Sequence, residues 1–421
     1  MELSDIKIHI PKIGKNLGYL YKSINDIHSN LKKYDIIYSK TQITNTQQIS
    51  IIKIIKYLFD NNLLDNSIKL DQHDMFKKIL ESNDLNELNN WIHNNGTDVI
   101  DRVNQLSNAN KIPVNLQNPF IDNMLINKFV EMNIIDYLLN QLEYKHSYTI
   151  NYKNLDINLV IYSKTKMISK KMLNNLIYRI LILGLYKSKT TYLKINIDIF
   201  MTPFKKKISK HTKILGTREV NSGFSAHNYK ICIFRKEELN KVLVHELIHY
   251  LELDLDVVEF PDFYNYFNLA QSNKVKLNEA YTEILAILIN SIITSKNITE
   301  CKKILNIELK FSFYQVGKIL NLYEFMNAKD FFKPNDNDNE IFKQNTSVFS
   351  YFIIKTILLF NIDIFLELYY SGKIHKYNFK DIVLSIIDHD LIGIIDTFIN
   401  HIKTHPKDKG LFTTLKMSYN E

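Results

Sequence analysis

The chain has 421 residues, 45% apolar and 23% charged, a balance that builds buried cores and excludes an intrinsically disordered chain. Its net charge of +8, spread over this length, gives only a mild positive field and speaks against a dedicated nucleic-acid binder. Two cysteines, Cys232 and Cys301, exclude a disulfide framework and a thiolate zinc site, and fit a reducing compartment.

The length implies two or three domains or subdomains. Glycine (10) and proline (7) are scarce, so extended helices joined by polar turns are expected. The abundance of Ile, Asn and Lys follows AT-rich codons and says little about the fold. Met1 to Asp5 lack the basic and apolar regions of a signal peptide. The longest apolar stretch, Tyr351 to Tyr370, is broken by Lys355, Asn361, Asp363 and Glu367, which suits a buried helix pair better than a membrane span. A soluble intracellular protein, in the cytoplasm or a particle, is the expectation.

Residues 1–140 read as a mostly helical N-terminal domain of no legible role. Ile51, Ile54, Ile55, Leu58 and Phe59 give one buried helical face between Gln47 and Leu64. Asn94-Asn95-Gly96 marks a turn and Asn108 to Phe120 a connecting loop. Near residue 145 the pattern changes. Tyr148–Tyr152 and Ile157–Tyr162 read as strands of a hairpin through Asn154, followed by a helix from about Ser169 to Leu185. Leu193, Ile195, Ile197 and Ile199 alternate with polar residues, the clearest strand in the chain. The cluster Lys205, Lys206, Lys207, Lys210, Lys213 and Arg218 reads as a solvated loop, with a site for an acidic partner as the alternative. Glu219–Ser225 and Tyr229–Phe234 suggest two strands around an Ala226-His227-Asn228 turn, His227 being an exposed loop residue. A helix follows from Lys236 to about Leu251, with Glu237 and Glu238 in its first turn, where the dipole favours carboxylates. Later helices are expected at 276–296, 347–360 and 380–402, with Pro334 to Asn339 a polar loop.

The chemical signal is His245-Glu246-Leu247-Ile248-His249. Two histidines four apart share one helix face, so both imidazoles can reach one metal ion. Zinc accepts neutral imidazole and, in catalytic sites, leaves one position to water. Glu246 can take a proton from that water. The alternative is a pair of structural histidines on a core helix. Downstream, Glu279 and Glu283 lie one turn apart within Leu277-Asn278-Glu279-Ala280-Tyr281-Thr282-Glu283. One carboxylate can complete the metal's ligands while the other accepts the free N–H of a ligating histidine. Asp254, Asp256 and Glu259 are competing third ligands.

His245-Glu246-x-x-His249 followed by Asn278-Glu279-x-x-Thr282-Glu283 resembles the gluzincins, the thermolysin-like zinc metallopeptidases. The resemblance spans about residues 145–300. It implies one Zn2+ per chain on His245, His249 and Glu279, Glu246 as catalytic base, and Glu283 orienting a zinc-binding histidine, where the family has Asp. It also implies a substrate-binding edge strand, matched in position by Asn221, Ser222, Gly223 and Phe224, that pairs with an extended peptide. An oxyanion donor from the C-terminal helices is implied, with Tyr351, His389 and His401 as candidates.

The expected architecture is therefore α+β: a zincin-like core at 141–300, preceded by the helical domain and closed by a helical C-terminal subdomain at 301–421. The expected activity is hydrolysis of a peptide or protein substrate. The alternatives are an idle scaffold with a binding or structural role, or a basic helical nucleic-acid binder. Neither a membrane partner nor an oligomeric state is indicated.

Overall fold

The computed structural model describes residues 13–33, 36–45, 50–95, 97–109, 111–116, 130–188, 191–208, 212, 214–227, 229–258, 260, 263, 265–270, 275–333, 342–404, 411 and 413–419. The chain is mixed α and β. In chain order the described helices and strands are α1 (Asn16–Lys32), β1 (Ser39–Asn45), α2 (Ile51–Asp60), α3 (His73–Ser82), α4 (Leu85–Asn95), α5 (Thr97–Asn108), α6 (Met132–Asn140), β2 (Tyr144–Tyr152), β3 (Leu155–Ser163), α7 (Lys170–Lys187) and β4 (Leu193–Phe200). There follow α8 (Thr217–Val220), β5 (Gly223–Ala226), β6 (Lys230–Ile233), α9 (Leu239–Tyr250), α10 (Leu277–Thr294) and α11 (Ile298–Leu322). A π-helical turn (Phe349–Ile354) runs into α12 (Lys355–Phe360), and α13 (Ile362–Tyr370), α14 (Phe379–Ser385) and α15 (His389–Thr404) complete the series.

Six strands form one sheet in the order β1-β2-β3-β4-β6-β5. β2 and β3 are the expected hairpin, turning through Lys153 at φ 53. β3, β4 and β6 are parallel, and β5 returns antiparallel to β6 at the edge. Period-two patterning divides the sheet's side chains between two cores. Ile157, Leu159, Ile161, Ile195, Ile197, Ile199, Ile231 and Ile233 pack with α1, α7, α9 and the later helices. Tyr162, Phe200, Cys232 and Phe234 point the other way, into a cluster built from α2–α6. The sheet is thus the middle layer of three.

The elements expected in residues 1–140 pack in two places. Leu17, Leu20, Ile24 and Leu31 of α1 belong to the main core, and β1 extends the sheet by pairing with β2. Among the described helices, α2–α6 form the layer on the other face of the sheet. Polar residues in 39–45 concealed this strand, which sits at an edge where backbone pairing matters more than burial.

The expected 236–251 helix begins three residues late. Glu238 caps α9 in a left-handed conformation, φ 60, and is buried against Lys206 at 2.7 Å. Lys206 is accordingly no solvated loop residue, whereas Lys205, Lys207 and Arg218 are exposed and Lys210 and Lys213 lie outside the described residues. Residues 217–220 form one helical turn in place of the start of a strand. The expected loops at Gly96, part of 108–120 and Pro334–Asn339 also fall outside the described set.

The apolar 351–370 stretch falls in two helical segments, a buried Phe349–Phe360 and a half-exposed Ile362–Tyr370, bent 87° apart, and no single described helix is long and apolar enough to cross a membrane. Beyond α15, residues 413–419 thread back into the main core. Ile208 N donates to Thr413 O at 2.8 Å and Leu415 N to Lys206 O at 3.0 Å, while Leu415 and Met417 are buried. Glu238 Oε1 accepts from the backbone N–H groups of Met417 and Ser418 at 2.8 and 2.6 Å, and Glu308 Oε1 accepts from the Ser418 hydroxyl at 2.8 Å.

Candidate metal centre

α9 and α10 are buried on nearly every side, which is why their polar residues stand out. A helix in that position brings every side chain into the core, so each ionisable group on it needs a partner. His245 and His249 project from one face of α9, and Glu279, in the first turn of α10, faces them. Their ligating atoms all lie within 4.8 Å of one another. His245 Nε2 is 3.2 Å from His249 Nε2, and Glu279 Oε2 is 3.6 Å from the first and 3.3 Å from the second.

Both imidazoles are held from behind. His245 Nδ1 meets Glu283 Oε2 at 2.9 Å and His249 Nδ1 meets Asp254 Oδ2 at 2.6 Å. A carboxylate there fixes the proton on Nδ1 and turns the Nε2 lone pair outward. Two such lone pairs then face each other across 3.2 Å beside the buried Glu279 Oε2. Three electron-rich atoms so arranged need a cation or shared protons between them. The electrostatics follow the same logic. Burial disfavours the Glu279 carboxylate, but His249 and His245 outweigh it and hold its pKa well below the usual value. Burial likewise opposes a charge on His249, yet Glu279 and Asp254 raise its pKa well above the ordinary range. His245 is raised in the same way by Glu279 and Glu283, against burial.

Glu246 points aside from this cluster. Burial pushes its pKa up, while His245 and His249 oppose the shift. It lies under β5: a Cβ added at Gly223 would stand 3.1 Å from Glu246 Oε1 and 3.0 Å from the Cys232 carbonyl oxygen. Only a residue without a side chain lets the strand come this close. Of the expected edge-strand residues, Gly223 and Phe224 lie in β5, while Asn221 and Ser222 lead into it and Ser222 O still accepts from Phe234 N at 2.9 Å. β5 is the terminal strand of the sheet, paired with β6 alone among the described strands.

Tyr351, of the three candidate donors, is at the cluster. Its ring sits edge-on to His245 with centroids 6.0 Å apart, and its hydroxyl reaches the Glu279 carboxylate. Burial, together with Glu279 and Glu246, raises its pKa well above 10, so it remains a donor. The π-helical turn that carries it is a rare geometry concentrated at functional sites. His389 is exposed at the start of α15, and His401 lies near that helix's other end; neither is placed at the cluster by the described contacts. His227 is half exposed, beside Glu252 and the Tyr250 carbonyl. Among the competing carboxylates, Asp254 backs His249 instead of joining Glu279, Asp256 is exposed and paired with Lys376 at 2.8 Å, and Glu259 lies outside the described residues.

One participant escaped the sequence reading. Lys241 is buried, and its Nζ meets Glu283 Oε1 at 2.5 Å. The same carboxylate therefore bridges Lys241 and His245, and these two with burial opposed drive its pKa far down. Lys241, His245 and His249 are spaced i, i+4, i+8 on α9, a signal that helical periodicity alone contained. A small cavity of about 30 Å³ lies beside Glu246, walled by Gly223, Val242, His245, Tyr351 and Met417.

No family model and no solved structure matches the chain. Over 183 residues it is 31% identical to an uncharacterized protein of Acanthamoeba polyphaga mimivirus. That alignment covers 40% of this chain and 47% of the relative, so the chain spans about half the length of the protein it resembles.

Proposed function

We propose that the chain is a zinc-dependent metallopeptidase with a zincin-like core, in which His245, His249 and Glu279 hold the metal. The observation that carries this reading is the triangle of ligand atoms. Zinc with tetrahedral bonds of about 2.0–2.1 Å sets its ligands about 3.3–3.4 Å apart, and the three edges here are 3.2, 3.3 and 3.6 Å. The carboxylates behind both Nδ1 atoms support it, because they leave Nε2 free to ligate.

Zinc in this position would supply Lewis acidity and a water acidic enough to lose its proton near neutral pH. Glu246, kept basic but proton-accepting by its burial, is placed to take that proton and deliver it to the leaving amine. β5, terminal among the described strands, offers its outer edge to an extended peptide backbone, so substrates of varied sequence can be held. Tyr351 is placed to donate a hydrogen bond to charge developing on the peptide oxygen.

Elemental analysis of purified protein tests the reading first. One zinc per chain in the wild type, lost or greatly weakened in Glu279→Ala, is the expected result. Cleavage of a peptide library, abolished in Glu246→Gln with metal content unchanged, then tests the reaction. Metal-free wild type after reconstitution would overturn the proposal. Full metal without any cleavage would reduce it to a metal-bound scaffold.

A further inference from the structure

A second, larger cavity, about 1010 Å³, shares no lining residue with the one beside Glu246. It lies between α1, α7, the last turns of α10, the segments 202–205 and 236–240, and Lys416. Six cationic side chains line it: Lys32, Lys171, Arg179, Lys205, Lys236 and Lys416. Two carboxylates, Glu237 and Glu238, also reach it, but both are committed to Lys206. Glu237 Oε2 accepts from the Lys206 backbone N–H at 2.6 Å, and Glu238 Oε2 binds Lys206 Nζ at 2.7 Å.

We propose that this cavity binds a small organic anion bearing two or more phosphate groups. The lining has four more positive than negative side chains, and one of the cations is fixed in place. Arg179 is only 5% exposed, yet its guanidinium is oriented by Asn290 Oδ1 at 3.0 and 2.9 Å, by the Asn175 carbonyl at 3.0 Å and by Thr294 Oγ1 at 3.3 Å. These contacts occupy most of its N–H donors, so Arg179 contributes a positive charge fixed in the cavity wall, which costs no ordering when an anion enters. The flexible lysines around the rim add charge without demanding one geometry. Met172, Tyr178 and Ile293 supply an apolar stretch of wall for the body of the ligand. The local field is already felt by His28, also in the wall, whose pKa is lowered to about 4 by burial, Lys32 and Arg179. The positive segment seen in the sequence near Lys205 is one edge of this surface.

The test is calorimetric titration of the full chain with inorganic tripolyphosphate at fixed ionic strength. Wild type should saturate with a dissociation constant below about 1 mM. Arg179→Gln should bind at least tenfold more weakly. Because a buried substitution can impair folding, the doubly exposed K171Q/K236Q variant is the second arm, with the same tenfold loss expected. The charge-matched control K53Q/K56Q, on α2, should change affinity less than twofold. The His28 ring, followed by NMR, should titrate at higher pH with the anion bound, since the anion offsets Lys32 and Arg179. No saturation, equal loss in the control, or an unmoved His28 titration would each overturn the proposal. So would a single-stranded oligonucleotide that binds more tightly than tripolyphosphate with no sensitivity to K171Q/K236Q.

Discussion

Asp254 accepts a hydrogen bond from His249 Nδ1 at 2.6 Å, across the chain reversal that ends α9. Glu252 turns that corner with φ 50. Removing such a carboxylate frees the imidazole to rotate and lets the proton move to the ligating nitrogen. Asp254→Asn should therefore weaken zinc affinity by about 10–100-fold. Asp256→Asn, at an exposed carboxylate paired with Lys376, should leave it unchanged; competition with a chromogenic chelator reads both.

Lys241 and Glu283 form a fully buried ion pair at 2.5 Å. Removing one member of a buried pair costs about 3–5 kcal/mol, and the low end is expected here because Glu283 keeps its hydrogen bond with His245. Lys241→Met should show a loss of this size in urea denaturation of the metal-free protein. Metal affinity should fall as well, since Glu283 also orients His245.

Gly223→Ala places a methyl group against Glu246 Oε1 and the Cys232 carbonyl. The carbonyl cannot yield without distorting the β5–β6 pair, so Glu246 is displaced. Peptide turnover should drop by about tenfold to a hundredfold, in line with the cost of misplacing a reacting group by about 1 Å. Metal content should not change, which separates this effect from unfolding.

Tyr351→Phe removes a hydroxyl and little else. If that hydroxyl meets the developing oxyanion, kcat should fall by about 10²–10³ while KM stays within a few-fold. A loss confined to KM would place Tyr351 in substrate binding alone.

His28 makes stability depend on acidity away from the metal cluster. It faces Lys32 on its own helix and Tyr178 and Arg179 on α7, and its folded pKa is about 4 against 6.5 for the free side chain. Between those values the unfolded chain holds the extra proton, so stability falls as pH drops from 6.5 toward 4 and then levels off. His28→Gln should flatten that part of the curve, measured by urea midpoints at successive pH values.

Much of the candidate site was legible because it is helical. Spacing of four residues fixes a shared face, so His245 with His249 and Glu279 with Glu283 could be paired without coordinates. That Glu279 faces the histidines and Glu283 stands behind His245 required the packing of α9 on α10, for which the Asn-Glu-x-x-Thr-Glu pattern was an indirect guide. Asp254 was seen only as a competing ligand because its position depends on an irregular reversal that has no periodicity. Tyr351 could not be separated from His389 and His401, since the choice rests on the path of the chain between α11 and α12. In the sheet, strands with alternating apolar residues were readable, and β1 was not, because its sequence Ser39–Asn45 carries a single large apolar residue, Ile43. Lys206 and Lys241 look like any surface lysine until the buried Glu238 and Glu283 are placed beside them.

Residues 413–419 have a consequence for synthesis of the protein. They are laid down after α15, yet Met417 forms one wall of the cavity beside Glu246, and Glu238 and Glu308 find partners on this segment. A growing chain therefore carries the whole His-Glu-x-x-His helix before the segment that walls the cavity beside it has been made. The wall beside Glu246 is thereby completed late, after α9 and α10 have been made.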